Sequence, residues 1–98
     1  MEASKIIDEK KLEKDFSTTL KAIQKVKIAA PKGTHQYKMA EDFLDMAKRY
    51  YDDAKHFMEK GDYVRALGAL YYAHGWLDAG ARSGLFDVSH DSELFTVD

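Results

Sequence analysis

Apolar residues recur along this chain at helical spacing in three separate blocks. In the first, Leu12, Phe16, Leu20, Ile23 and Val26 step by three and four and form a single stripe. This pattern predicts helix 1 over about 4–28. The stretch Ala29-Ala30-Pro31-Lys32-Gly33-Thr34 is expected to stop it, because Pro31 disfavours helical geometry at Ala30 and Gly33 supplies turn freedom. Thr34 then suits the N-cap of the next element.

In the second block Ala40, Phe43, Ala47, Tyr50, Ala54 and Phe57 alternate steps of three and four, a heptad seam with alanine and aromatic residues in turn. Tyr37, Leu44, Tyr51 and Met58 make a flanking stripe, with Met39 and Met46 on the other flank. Helix 2 is predicted over about 35–60. Gly61 serves as a stop and Asp62 as an immediate new N-cap, so the following helix must fold back antiparallel.

The third block repeats the seam with the sizes inverted. Tyr63, Leu70 and Leu77 are large where Ala66, Ala73 and Gly80 are small. Small residues on each helix can receive large ones from the other, so the two backbones are expected to lie close together. Helix 3 is predicted over about 62–83, closed by Gly84. The remaining segment, 85–98, has apolar anchors (Leu85, Phe86, Val88, Leu94, Phe95, Val97) without helical period. It reads as a short tail that packs extended along the bundle or serves as a linear motif for another protein. Docking of Leu85 and Phe86 on the bundle is the expected arrangement, because helix C-termini often bring such a contact. The fold class is therefore all-α: one domain, a three-helix up-and-down antiparallel bundle with a short C-terminal tail.

Helix 3 carries more apolar surface than its seam requires. Ala69 and Trp76 lie on one flank and Leu67 and Ala81 on the other, with Tyr71, Tyr72 and Ala79 behind. Gly68 and Gly75 fall on the same back face, and each mid-helix glycine costs about 1 kcal/mol relative to alanine. That cost suggests close approach by another backbone: helix 1, the tail, a second copy or a partner protein. Gly68, Tyr71, Tyr72, Gly75 and Trp76 are accordingly the candidate interaction surface, and a homodimer or protein partner is the expectation.

Composition removes several classes of function. With 98 residues there is room for one modest core. There is no cysteine, so disulfides, thiolate metal sites and thiol nucleophiles are excluded. No apolar run approaches a membrane span and the charged first residues lack a signal-peptide core, so a cytoplasmic location without membrane contact is expected. Net charge is −2, but Lys21, Lys25, Lys27, Lys32 and Lys38 form a stretch free of acids. Such a stretch reads as a solvated face; an acidic partner or phosphate backbone is the sharper alternative.

Candidate chemistry is sparse. His74 with Asp78, and Asp52 with His56, are i,i+4 pairs that resemble pieces of a two-helix metal site, but the Glu-x-x-His pattern of di-metal bundles is missing. No metal is expected. Asp53 near the tyrosines, together with His74 and Asp78, fits a polar network that fixes helix register. Arg49 and His56 share a helix face and offer a phosphate binder and a proton carrier. No glycine-rich phosphate loop or hydrolase triad order is present, so neither a cofactor nor a catalytic residue is assigned.

The segments YYDDAKHF, EKGDYVRAL and YAHGWLDAGARSGLFDV, with ELFTV near the end, resemble the DUF357 family of small, mainly archaeal proteins. The resemblance is strong over the last half of the chain and extends to helix 1 by pattern. It implies a short three-helix bundle from an archaeal cytoplasm, and no activity to carry over. The A-x-x-F and G-D-Y-x-x-A rhythm is also similar to HEPN nucleotide-binding and ribonuclease domains, whose R-x(4–6)-H pattern the Arg49–His56 spacing fits. The expectation is a non-enzymatic helical interaction domain that self-associates or binds a partner through helix 3. A HEPN-like nucleic-acid-associated domain is the alternative.

Overall fold

A computed structural model describes residues 5–97. Three helices follow in order: α1 (Glu9–Lys25), α2 (His35–Glu59) and α3 (Tyr63–Arg82). Each begins on a side chain that accepts from a backbone N–H of its first turn: Asp8 from Lys11, Thr34 from Tyr37 and Asp62 from Arg65. Gly61 and Gly84 follow α2 and α3 at φ +78° and +83°, the left-handed conformation that ends a helix most cheaply in glycine. Three residues, Lys60 to Asp62, separate α2 from α3, so the pair is an antiparallel hairpin.

The α2–α3 seam is the most extensive helix–helix contact in the molecule. Ala40, Ala47 and Ala54 of α2 are fully buried, as are Ala66, Leu70, Ala73 and Leu77 of α3. Alanine at the contact line lets the facing leucines reach the opposite backbone, which is the inverted size pattern at work. α1 packs mainly on α3 and much less on α2. The result is a slab of 44 × 30 × 16 Å with α3 in the middle.

The core divides along the length of the slab. At the hairpin end Leu12, Ala54, Ala66 and Leu70 are buried among Phe16, Tyr51, Phe57 and Tyr63. At the other end Ala22, Ala40, Ala47 and Leu77 pack with Leu85, Phe86, Val88 and Phe95 of the tail.

Helix 1 departs from expectation at both ends. The predicted span of 4–28 shrinks to Glu9–Lys25, and its first predicted residue lies outside the described residues. The helix stops at Val26, well before Pro31, because Lys27–Ile28 forms a short strand, β1, paired antiparallel with Phe86–Asp87, β2. Ala29 N–H donates to the Leu85 carbonyl at 2.9 Å, so the tail supplies the backbone partners that another turn of helix would have used. β-branched Val26 and Ile28 favour that exchange. The apolar stripe differs at one position: Leu20 is 38% exposed, and Thr19 is buried in its place.

The tail packs on its own bundle, as expected for Leu85 and Phe86, and Val88 and Phe95 are buried with them. The Phe86 ring lies directly on Gly80, where a methyl group would collide with it. Ser89 and His90 turn the chain at φ 54° and 56°. Asp91 then organises the last turn, accepting from Glu93 N–H and Leu94 N–H at 3.1 Å each.

Candidate functional site

α3 has one face that no other described residue covers. Val64, Gly68, Tyr71, Tyr72, Gly75 and Ala79 recur at helical spacing along it, and none carries a charge. Val64 is 72% exposed, Tyr71 54% and Tyr72 51%. A Cβ built on Gly68 or Gly75 would meet nothing within 4 Å. Neither α1 nor the tail therefore accounts for those two glycines, and Gly80, which the seam already used, is the helix-interior glycine that packing demands.

The slab geometry explains why this face stays open. α1 borders it on the Tyr71 side, where the tyrosine hydroxyl donates to Asp15 at 3.3 Å. The Asp15 carboxylate also hydrogen-bonds and attracts the Lys11 ammonium at 3.3 Å, which holds that lysine above its usual pKa range. α2 borders the face on the Tyr72 side. Tyr72 meets Tyr50 edge to face at 4.5 Å between ring centroids, and Trp76 meets Phe43 in the same way at 5.0 Å. Tyr72 and Trp76 continue the row at 6.1 Å. These contacts fix the aromatic rings at the rim while leaving the glycines between them bare.

Three hollows open along the face. One of about 320 Å³ lies between α1 and α3 against Asp15, Thr19, His74 and Gly75. A second, of about 210 Å³, is formed by Tyr72, Gly75, Trp76 and Ala79. The third, of about 480 Å³, lies between α2 and α3 against Asp53, Arg65, Gly68 and Tyr72. Gly75 separates the first two, and Gly68 forms part of the floor of the third. The five residues singled out from the sequence thus lie together, with Trp76 half-buried at the edge rather than at the centre.

The polar candidates divide. His74 and Asp78 both face the tail. His74 Nε2 lies 2.5 Å from the Leu94 carbonyl oxygen, and its Nδ1 lies 3.3 Å from the Thr19 hydroxyl. A carbonyl can only accept, so in the neutral ring the proton is assigned to Nε2, and Nδ1 accepts from Thr19. Asp78 accepts from Thr96 N–H at 2.9 Å and from the Thr96 hydroxyl at 3.4 Å. Together the pair ties α1, α3 and the tail at the level where the two core clusters meet. Asp53 is exposed beside Tyr72 and Arg65, outside this group.

Asp52 and His56 are exposed on α2. Arg49, also on α2 and exposed, pairs with Asp45 at 2.9 Å. Among the described residues no three metal-type side chains converge. Sequence reasoning missed Thr19, because a threonine inside an apolar stripe reads as an interruption. Its signal was the spacing: Leu12, Phe16, Thr19, Ile23 and Val26 keep steps of four and three without a break.

The lysine stretch also finds an internal partner. Lys27 pairs in register with Asp87 across the small sheet, and Lys25 Nζ lies 3.9 Å from Asp91. The chain's own acidic tail therefore faces part of this basic segment.

No helix among the described residues is long and apolar enough to cross a membrane. Residues 14–86 match the model of the family described as protein of unknown function (DUF357), and the chain belongs to that family. No curated protein matches the chain. No solved structure matches it either.

Proposed function

We propose that this member of the DUF357 family is a non-enzymatic helical interaction domain that self-associates through the outer face of α3. The observation that carries the reading is the pair of uncovered glycines, Gly68 and Gly75, among exposed tyrosines. Each costs the helix about 1 kcal/mol against alanine, and nothing within the described chain repays it. A backbone pressed against that face from outside would need both positions to lack a side chain.

Two further features support it. The face exposes Val64, Tyr71 and Tyr72 together, whereas the side of α3 that carries Ala66, Leu70, Ala73 and Leu77 is buried. His74 and Asp78 are engaged within the chain, by Thr19, Leu94 and Thr96, in the tie between α1, α3 and the tail.

Size exclusion with light scattering at high micromolar concentration tests the reading. The chain is expected to run as a dimer, and Gly75→Leu to run as a monomer with unchanged helical circular dichroism. A monomer at that concentration, unaltered by Gly75→Leu, removes the proposal.

A further inference from the structure

The outward side of α1 carries charge of one sign. At ~100° per residue Lys10, Lys14, Lys21 and Lys25 lie within about 60° of arc around the helix. All four are exposed. The buried Leu12 and Thr19 lie on roughly the opposite side. The acids of the helix, Glu9, Glu13 and Asp15, each stand about 90° or more from the centre of the lysine arc. The exposed side of α2 is different, with Glu41, Asp42, Asp45, Lys48, Arg49 and Asp52 interleaved and Arg49 paired to Asp45.

Folding regroups the lysines that run together in the sequence. Lys25 and Lys27 meet the tail through Asp91 and Asp87. Lys21 instead joins Lys14 and Lys10, and these three make no ion pair among the described residues. They follow one another at about 6 and 10 Å along the helix axis. One small anion cannot touch all three, whereas a chain of anions can. Ser17 stands exposed between Lys14 and Lys21 and offers a hydroxyl of the kind that contacts phosphate oxygens. No apolar or aromatic side chain stands among the lysines. A protein partner would find no anchor to bury there, and nucleic-acid bases would find no ring to stack on.

We infer that the outer side of α1 binds the phosphodiester backbone of a nucleic acid through Lys10, Lys14 and Lys21, without reading base sequence. Phosphate contacts by lysine position a strand but carry no sequence information. The chain as a whole is acidic, at −2, so this attraction belongs to the ridge and not to the net charge. None of these lysines lines a hollow along the open face of α3, so the inference stands apart from self-association.

Fluorescence anisotropy at ~50 mM salt tests it, with labelled ~20-nucleotide poly-dT and poly-U strands and a DNA duplex of equal length. Binding of the strands or of the duplex is expected and identifies the form recognised. The affinity should fall with salt at a log–log slope of about −2 to −3, the value for three lysine–phosphate contacts. Lys10→Glu, Lys14→Glu and Lys21→Glu together should weaken binding at least ~10-fold with helical circular dichroism unchanged. Lys32→Glu, Lys38→Glu and Lys48→Glu make the same change in net charge at exposed positions off the ridge. That variant should stay within ~3-fold of the unaltered chain. Equal losses in the two triple variants, or no binding at ~50 mM salt, overturn the inference. So does poly-glutamate that displaces the strands at equal charge concentration, which would give the ridge to an acidic protein.

Discussion

At the scale of single residues, the three glycines within α3 behave differently although the sequence presents them alike. Gly80 lies under the Phe86 ring, so Gly80→Ala is expected to cost about 1–3 kcal/mol through overpacking. Gly68 has open space around it, so Gly68→Ala should stabilise the dilute, monomeric chain by about 1 kcal/mol. Urea denaturation at low protein concentration reads both; equal shifts in the same direction would contradict the difference in packing. A cycle sharpens the first case: in a Phe86→Ala background the cost of Gly80→Ala should largely vanish. Thr19 and His74 make a second residue-scale pair. His74→Ala leaves a buried hydroxyl and the Leu94 carbonyl without their partner, and should cost about 1–3 kcal/mol by the same denaturation measurement.

At the scale of elements, the helices and the tail were not equally legible. The heptad seams of α2 and α3 and the short turn between them could be read directly, because local propensity, capping and period agree there. Ala40, Ala47 and Ala54 are buried as their spacing required. The early end of α1 was not legible. It depends on Leu85, Phe86 and Asp87, which lie some sixty residues downstream, and no local signal announces such a pairing. The exchange of Leu20 for Thr19 in the α1 stripe has a similar origin: a threonine becomes a good buried residue only when His74 stands opposite it. The tail's attachment through Asp78 can be tested by itself. Asp78→Ala should speed hydrogen exchange at the Thr96 amide by roughly tenfold, while amides of the α2–α3 seam keep their protection. Unchanged exchange at Thr96 would mean that the buried Phe95 holds the tail without this bond.

At the scale of the whole molecule, thinness is the consequential property. With α3 in the middle of a slab 16 Å thick, the central helix still shows one face to solvent. A dimer formed there links stability to concentration. The midpoint of thermal unfolding should rise measurably between about 1 and 100 μM chain, and Tyr72→Glu should abolish that dependence by placing a charge at the contact. A concentration-independent midpoint would count against self-association.

The sequence by itself determined the three helices, their caps, the antiparallel hairpin and the seam between α2 and α3. Period, size alternation and turn chemistry are local quantities that one chain displays directly. It also marked Gly68, Tyr71, Tyr72, Gly75 and Trp76 as surplus to that seam. Only the tertiary structure decided which glycine was needed by the fold, where α1 stops and what His74 holds. Those outcomes depend on segments far apart in the chain coming together, and in each case a residue of α1 or of the tail supplied the missing partner.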